Sequence, residues 1–430
     1  MESIALLMVV IIFVLLLLGF PVAFTLAGVS SIIGYFTLGP DFFNFLPSRM
    51  MGILSNYVLL AVPLFVFMGI MLEKSGLAAT LLETMAHFFG KVHGGLGVSV
   101  IVVGTLLAAS TGIVGATVVT MGLISLPTMI KAKYNIPLST GIIASSGTLG
   151  QIIPPSIVLV LLGSVLNITV GDLFKAALLP GGLIVLSYII YVLIIAKIKP
   201  EWAPVLEQKE DETKISTKKT IIALVMPILL MVIVLGSIFA GIASPTEAAA
   251  VGAFGAIILT MLAGKFSWKT LMVTGQESTR LTTMVFFILL GATTFSLVFR
   301  GLHGDDLILT LIRNADLTSI QLVAFILMIV FILGFFIDFV EIIFIIVPII
   351  LPILNAYDID LIWIGILLAL NLQTSFLTPP FGFSLFYLKG VAPPQVKTTH
   401  LYRGIIPFIS IQLVILLLVF FFPELVSMWL

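Results

Sequence analysis

The chain has 430 residues, 60% of them hydrophobic and 9% charged, with 20 basic and 20 acidic side chains and no cysteine. A soluble domain is about 25% charged, so a chain this apolar has no polar coat to show to water, and lipid is the solvent that suits it. Zero net charge excludes a nucleic-acid footprint, and the lack of cysteine excludes disulfides and thiolate chemistry.

The first apolar run, from Ile4 to Phe20, reads as a membrane helix rather than a cleaved signal peptide. Only Met1, Glu2 and Ser3 precede it, without a basic residue, and no small-residue cleavage site follows. Next comes GFPVAFTLAG, holding Pro21 and Gly28. The stretch 77–90, with Glu83 and His87, is amphipathic and predicts an interfacial helix. At 108–117 the apolar pattern is interrupted by Ser110, Thr111, Gly112, Gly115 and Thr117. A second polar cluster, Ser145, Ser146, Gly147 and Thr148, runs on to Gln151 and is followed by Pro154 and Pro155. The segment 197–219 is the long polar stretch of the chain, with Lys197, Lys199, Lys209, Lys214, Lys218 and Lys219 among several acids. It reads as a solvated linker. Basic loops stay cytoplasmic, so the linker is expected inside and the Lys/Arg-free termini outside.

The remainder repeats what came before. Pro21 and Gly28 recur as Pro245 and Gly252, each 224 residues on, and Pro154-Pro155 recurs as Pro379-Pro380, 225 on. Gly76-Leu77 recurs as Gly301-Leu302, and Tyr134 to Leu138 as Tyr357 to Leu361, at shifts of 225 and 223. The stretch 302–314, with Asp305, Asp306 and Arg313, again reads as amphipathic. Asp338 and Glu341, in FFIDFVEIIFIIVP, fall about 225 residues after the 110–117 cluster. Asn371, Gln373, Thr374, Ser375 and Thr378 then precede Pro379-Pro380. The chain therefore divides into a first repeat at 1–196, a cytoplasmic linker at 197–219 and a second repeat at 220–430. Lys131 and Lys133 correspond to Leu354 and Ala356, and Lys265 and Lys269 to Asp41 and Phe45. Opposite charge bias in equivalent loops is the pattern of oppositely oriented halves. Inversion requires an odd number of crossings per half, and span length suggests about 10 to 12 helices plus re-entrant pieces.

Polar groups and helix breaks are costly in lipid and so mark function. A break frees backbone carbonyls, which with Ser, Thr and Asn oxygens suit a hard cation such as sodium. Opposing half-helix N-termini suit a carboxylate, and double proline enforces the break. Small residues also serve close helix packing, but recurrence at equivalent positions favours the site reading. Asp338 is expected either to face a cation, a donor or water, or to lie near a loop. His87, His93, His303 and His400 show no ligand spacing, so no metal site other than sodium is read and no cofactor is expected. A membrane enzyme would need a convergent acid, base or nucleophile set, and none is visible.

The segments SSGTLGQIIPPSIVLVLLG, NLQTSFLTPPFGFSLFYLKGVAP and LGFFIDFVEIIFIIVPIILP resemble the large membrane subunit of tripartite ATP-independent periplasmic (TRAP) transporters, over essentially the whole chain. The resemblance implies an all-α polytopic protein of two inverted-topology repeats with re-entrant hairpins and unwound helices, working as an elevator-type sodium symporter for organic acid anions in the bacterial inner membrane. It also implies a small four-helix membrane subunit, as a separate chain, and a periplasmic substrate-binding protein as partners. It places one hairpin tip at 110–117 and its counterpart around Asp338, with unwound segments at 145–155 and 371–380. Many relatives read Ser-Gly-Ser at the first tip, where this chain reads Ser110-Thr111-Gly112-Ile113. The rival expectation is a stand-alone anion carrier that needs no binding protein.

Overall fold

The computed structural model of the protein describes residues 1–206, 225–428 and 430. Most of the expected linker, 207–219, lies outside the described residues, together with 220–224. Every regular element among the described residues is helical. In the first half these are α1 (Glu2–Leu17), α2 (Val22–Leu38), α3 (Leu46–Leu54), α4 (Ala61–Lys74), α5 (Leu77–Phe89), α6 (Gly95–Thr111), α7 (Val114–Lys131), α8 (Ile136–Thr148), α9 (Ile157–Leu166) and α10 (Val170–Ile198). The second half repeats the order with α11 (Met226–Phe239), α12 (Pro245–Leu262), α13 (Trp268–Gly301), α14 (Gly304–Asn314), α15 (Ser319–Leu333), α16 (Phe339–Ala356), α17 (Leu361–Leu377), α18 (Phe383–Val391) and α19 (Thr398–Phe421), closed by a short α20 (Glu424–Ser427).

Local chemistry sets these boundaries. Asn135 caps α8 by accepting from the Leu138 amide, and Ser244 and Thr318 open α12 and α15 with capping boxes. One departure between the halves is informative. The region of α3 and α4 is interrupted by Asn56, whose side chain caps a 3-10 turn at Tyr57–Leu60, whereas its counterpart α13 runs unbroken for 34 residues.

Seven helices are long and apolar enough to cross a membrane on their own, and shorter apolar helices of 10–17 residues accompany them among the described residues. The proline-broken pairs α8–α9 and α17–α18 each make one crossing in two pieces. The pairs α6–α7 and α15–α16 turn back as hairpins. With those pairs taken as hairpins, each half offers five candidate crossings, α1, α2, α4, α8–α9 and α10, matched in order by α11, α12, α13, α17–α18 and α19. Such a count inverts the second half relative to the first.

Packing sorts the helices into two bodies that do not follow the halves. In one, α13 lies along α2 and α4, and α12 along α4 and α11. In the other, α8 packs on α6, α7 and α19, and α17 on α15 and α19. Here the halves interlock reciprocally: α7 of the first hairpin packs on α18, and α16 of the second packs on α9. The bodies meet where α4 touches α6 and α13 touches α16.

The start of the polar segment keeps Lys197, Lys199 and Glu201 exposed while its backbone is pinned to neighbouring loops. Lys199 lies 3.9 Å over the Trp202 ring, and Ala203 is fully buried. The Ala203 carbonyl accepts from the Gly94 amide at 3.0 Å, the Trp202 carbonyl from Asn135 at 2.9 Å, and Leu206 donates to Gly90 at 3.0 Å. Basic composition alone predicted solvation. The charged side chains of the described part are exposed, and pairing with loops 90–94 and 132–135 fixes its backbone beneath them.

Candidate site between two hairpin tips and two broken helices

The first hairpin turns at Gly112 and Ile113. Gly112 adopts a left-handed φ of 61° and its amide returns to the Ala108 carbonyl, so a side chain here would be strained. Thr117 donates to the Ile113 carbonyl at 3.0 Å, and its hydroxyl lies 2.7 Å from that of Thr111. With the Thr117 proton committed to Ile113, Thr111 is the donor of the second bond. Ser110 donates to the Leu107 carbonyl at 2.8 Å. The hydroxyl protons of this tip are thus spent within the hairpin, and what remains outward are oxygen lone pairs. Gly115 lies against the Tyr387 ring, whose edge is 3.2 Å from where a Cβ would stand.

The second hairpin turns at residues 334–338. Asp338 caps α16 by accepting from the Phe339 amide at 2.7 Å, and Glu341 closes the capping box by accepting from the Asp338 amide at 3.2 Å. Among the described residues neither carboxylate pairs with a lysine or arginine. Both are half-buried, and Asp338 stands at the tip of the hairpin as the cap of α16.

Each tip meets the broken helix of its own half. The 3-10 turn Leu149–Gln151, which ends α8, packs on α6, and a Cβ at Gly334 would fall on the Ser375 hydroxyl of α17. Both double prolines, Pro154-Pro155 and Pro379-Pro380, carry a cis bond. Ser156 spans the first break by donating to the Gln151 carbonyl at 2.7 Å, and Ser384 spans the second by donating to the Phe376 carbonyl at 3.1 Å. Ser145, Ser146, Thr148, Thr374, Ser375 and Thr378 all donate back into their own helix. Asn371 donates to the Leu327 carbonyl of α15 at 2.8 Å, tying the second hairpin to α17. Gly147 of the first cluster lies against Val118 of α7, doing the same for the first.

Two side chains break this pattern of satisfaction. Gln151 and Gln373 are both fully buried, and neither amide has a hydrogen-bond partner at its oxygen or its nitrogen. An unpaired buried amide costs about 1–3 kcal/mol, so a ligand or water is expected to satisfy them. The turn bearing Gln151 packs on α17, the helix of Gln373. Gln151 ends the SSGTLGQ cluster. The signal that finds it is its place three residues before Pro154.

The two sides of the site differ in access. On the first side Ser110, Thr111, Pro154 and Pro155 are buried, and α4 seals the tip: a Cβ at Gly69 would fall on the Thr111 backbone. On the second side Thr378, Pro379 and Asp338 are half-buried, and Pro380, Phe381 and Tyr387 are exposed. Phe336 of the second tip packs against Phe381 with the rings tilted and their centroids 5.2 Å apart. Gly69, Gly334 and Tyr387, none of which the sequence singles out, also pack against these clusters, and a glycine or an aromatic in an apolar run carries no polar signal. Among the described residues no group of three His, Cys, Asp or Glu side chains is placed to hold a metal ion.

Two hairpins meeting two proline-broken helices inside an all-helical, twofold-repeated chain define a polytopic membrane transporter fold. The same fold is found in the YdaH transporter of Alcanivorax borkumensis, with a TM-score of 0.67 over 98% of both chains at 13% identity. A sequence model of the tripartite ATP-independent periplasmic transporter DctM component matches residues 9–425, and the chain belongs to that family. It is 31% identical over 402 residues to the C4-dicarboxylate TRAP transporter large permease protein DctM of Pseudomonas aeruginosa, covering 92% of this chain and 91% of that one. It is 29% identical over 415 residues to the sialic acid TRAP transporter large permease protein SiaM of Vibrio cholerae, covering 95% and 94%. To the ectoine/5-hydroxyectoine permease UehC of Ruegeria pomeroyi it is 30% identical over 418 residues, covering 96% and 95%. The chain is a membrane transporter permease of this family.

Proposed function

We propose that this chain is the permease of a sodium-coupled importer of organic acid anions in the bacterial inner membrane. In this reading a periplasmic substrate-binding protein delivers the anion, and a separate small membrane subunit completes the assembly. The observation that carries the sodium reading is the pair of fully buried, unpartnered amides of Gln151 and Gln373. They stand beside helix breaks whose hydroxyls keep only acceptor lone pairs to offer. An oxygen-rich, cation-free environment of this kind suits a hard monovalent cation, whose charge in turn attracts a carboxylate. The residues that would hold sodium and anion are those of the two tips and two breaks: Ser110 to Thr117, Ser145 to Pro155, Asp338 with Glu341, and Asn371 to Pro380.

The body of hairpins and broken helices would carry the anion past the body built on α4 and α13, as an elevator. The Lys-rich 197–219 segment would face the cytoplasm and both termini the periplasm. Relatives named for C4-dicarboxylates, sialic acid and ectoine share this chain's length, which supports leaving substrate choice largely to the binding protein. Inward movement of one negative charge opposes an inside-negative potential by about 2.3 kcal/mol per 100 mV. At least two sodium ions per monocarboxylate reverse that sign.

The test is uptake of organic acids by liposomes holding this chain and its small subunit, with binding protein and sodium gradient added separately. Uptake that needs both and is driven by an inside-negative potential is the expected result. Electroneutral or sodium-independent uptake overturns the coupling, and uptake without binding protein makes this a stand-alone carrier.

A further inference from the structure

We propose that the polar end of α10, where it meets loop 90–94, is a binding site for the phosphate headgroup of an anionic phospholipid, held by Lys91, His93 and Lys197. These three line a groove of about 490 Å³, together with Val92, Leu193 and Pro200. No carboxylate lines it among the described residues. The nearest acid in sequence, Glu201, is exposed beside it, and Lys199 is committed to the Trp202 ring.

The walls are built. Backbone bonds from Gly94 to Ala203 and from Leu206 to Gly90, both 3.0 Å, fix the loop against the segment that leaves α10. His93 Nδ1 lies 3.4 Å from the Ala203 carbonyl, so that nitrogen is the one that donates, and Nε2 can donate to a phosphate oxygen only as part of an imidazolium, which leaves the two lysines as the principal holders. Charge alone would suit any phosphate. What selects a lipid is the helix face below the cations. Leu186, Ile190 and Leu193 are 53%, 46% and 41% exposed, spaced four and three residues apart, and Lys197 follows four residues later. That spacing puts all four on one stripe. The stripe is an acyl-chain track that ends in cations, which matches the order of groups in a phospholipid. A soluble phosphate has no use for the track.

The full-length chain, purified into zwitterionic bicelles, would be titrated with short-chain phosphatidylglycerol and, separately, phosphatidylcholine, with binding read by native mass spectrometry. Wild type should bind phosphatidylglycerol selectively. Lys91→Gln and Lys197→Gln should each weaken it about five-fold, Ile190→Gln should weaken it as well, and the Lys→Arg variants should retain it, showing that the site still folds. Lys265→Gln/Lys269→Gln, outside the groove, should bind as wild type. Equal binding of the two lipids, or lysine variants indistinguishable from wild type, overturns the proposal. Competition by millimolar inorganic phosphate would also overturn it, by showing a soluble-anion site.

Discussion

At the scale of the residue, the question is what the buried amides and the tip carboxylates are for. Gln151 and Gln373 are fully buried without partners. Replacing either by Leu should raise stability in sodium-free detergent by about 1–3 kcal/mol, since an unsatisfied buried group is removed. The same variants should lose the stabilisation that sodium confers on the wild type, read as thermal unfolding in sodium against potassium. A sodium response that survives in both variants would sink the role given to these amides. Asp338 separates two roles differently. Asn caps a helix as well as Asp does, whereas Ala costs about 1 kcal/mol. Asp338→Asn should therefore fold like wild type while uptake falls at least tenfold, as the role proposed for its charge in the site requires. Unchanged uptake would make Asp338 a helix cap and nothing more.

At the scale of the element, the first hairpin is closed by α4, a helix of the other body. Gly69 brings the α4 backbone against Ser110 and Thr111, with no room for a Cβ. Gly69→Val should abolish uptake and leave the chain folded, because the hairpin can retreat but cannot reseat. Gly28, with nothing within 4 Å of its Cβ position, is the control, and Gly28→Ala should transport normally. If the Gly69 variant transports, the seal seen here is not part of the cycle. The amphipathic stretches did become helices, α5 and α14, and each leads from one body into a hairpin.

At the scale of the whole molecule, the elevator reading requires the two bodies to slide, and they are joined by few polar contacts. Thr120 of α7 donates to Glu73 of α4 at 2.7 Å, across the boundary. On the α4 side, Lys74 pairs with Glu277 of α13 at 3.0 Å, within one body. The chain has no native cysteine, so a Glu73→Cys/Thr120→Cys pair would be unique. Its crosslinking should stop uptake, and reduction should restore it. Transport by the crosslinked protein would show that this boundary does not move.

The sequence by itself determined the solvent, the helical class, the twofold repeat and the four polar clusters. Each depends on residues near one another in the chain: apolar runs long enough for lipid, prolines that cannot continue a helix, and hydroxyls bonding one turn back. The recurrence of Pro154-Pro155 at Pro379-Pro380 made both breaks legible before any coordinates. What only the tertiary structure decided are relations between distant segments. The reciprocal packing of α7 on α18 and α16 on α9, the seal at Gly69, and the docking of 199–206 on loop 90–94 all depend on which backbone approaches which. A glycine in an apolar helix looks alike in the sequence whether it faces lipid or another backbone, and a lysine-rich segment does not show where its amides find partners. Close approach is a property of two surfaces, and the chain writes down only one of them at a time.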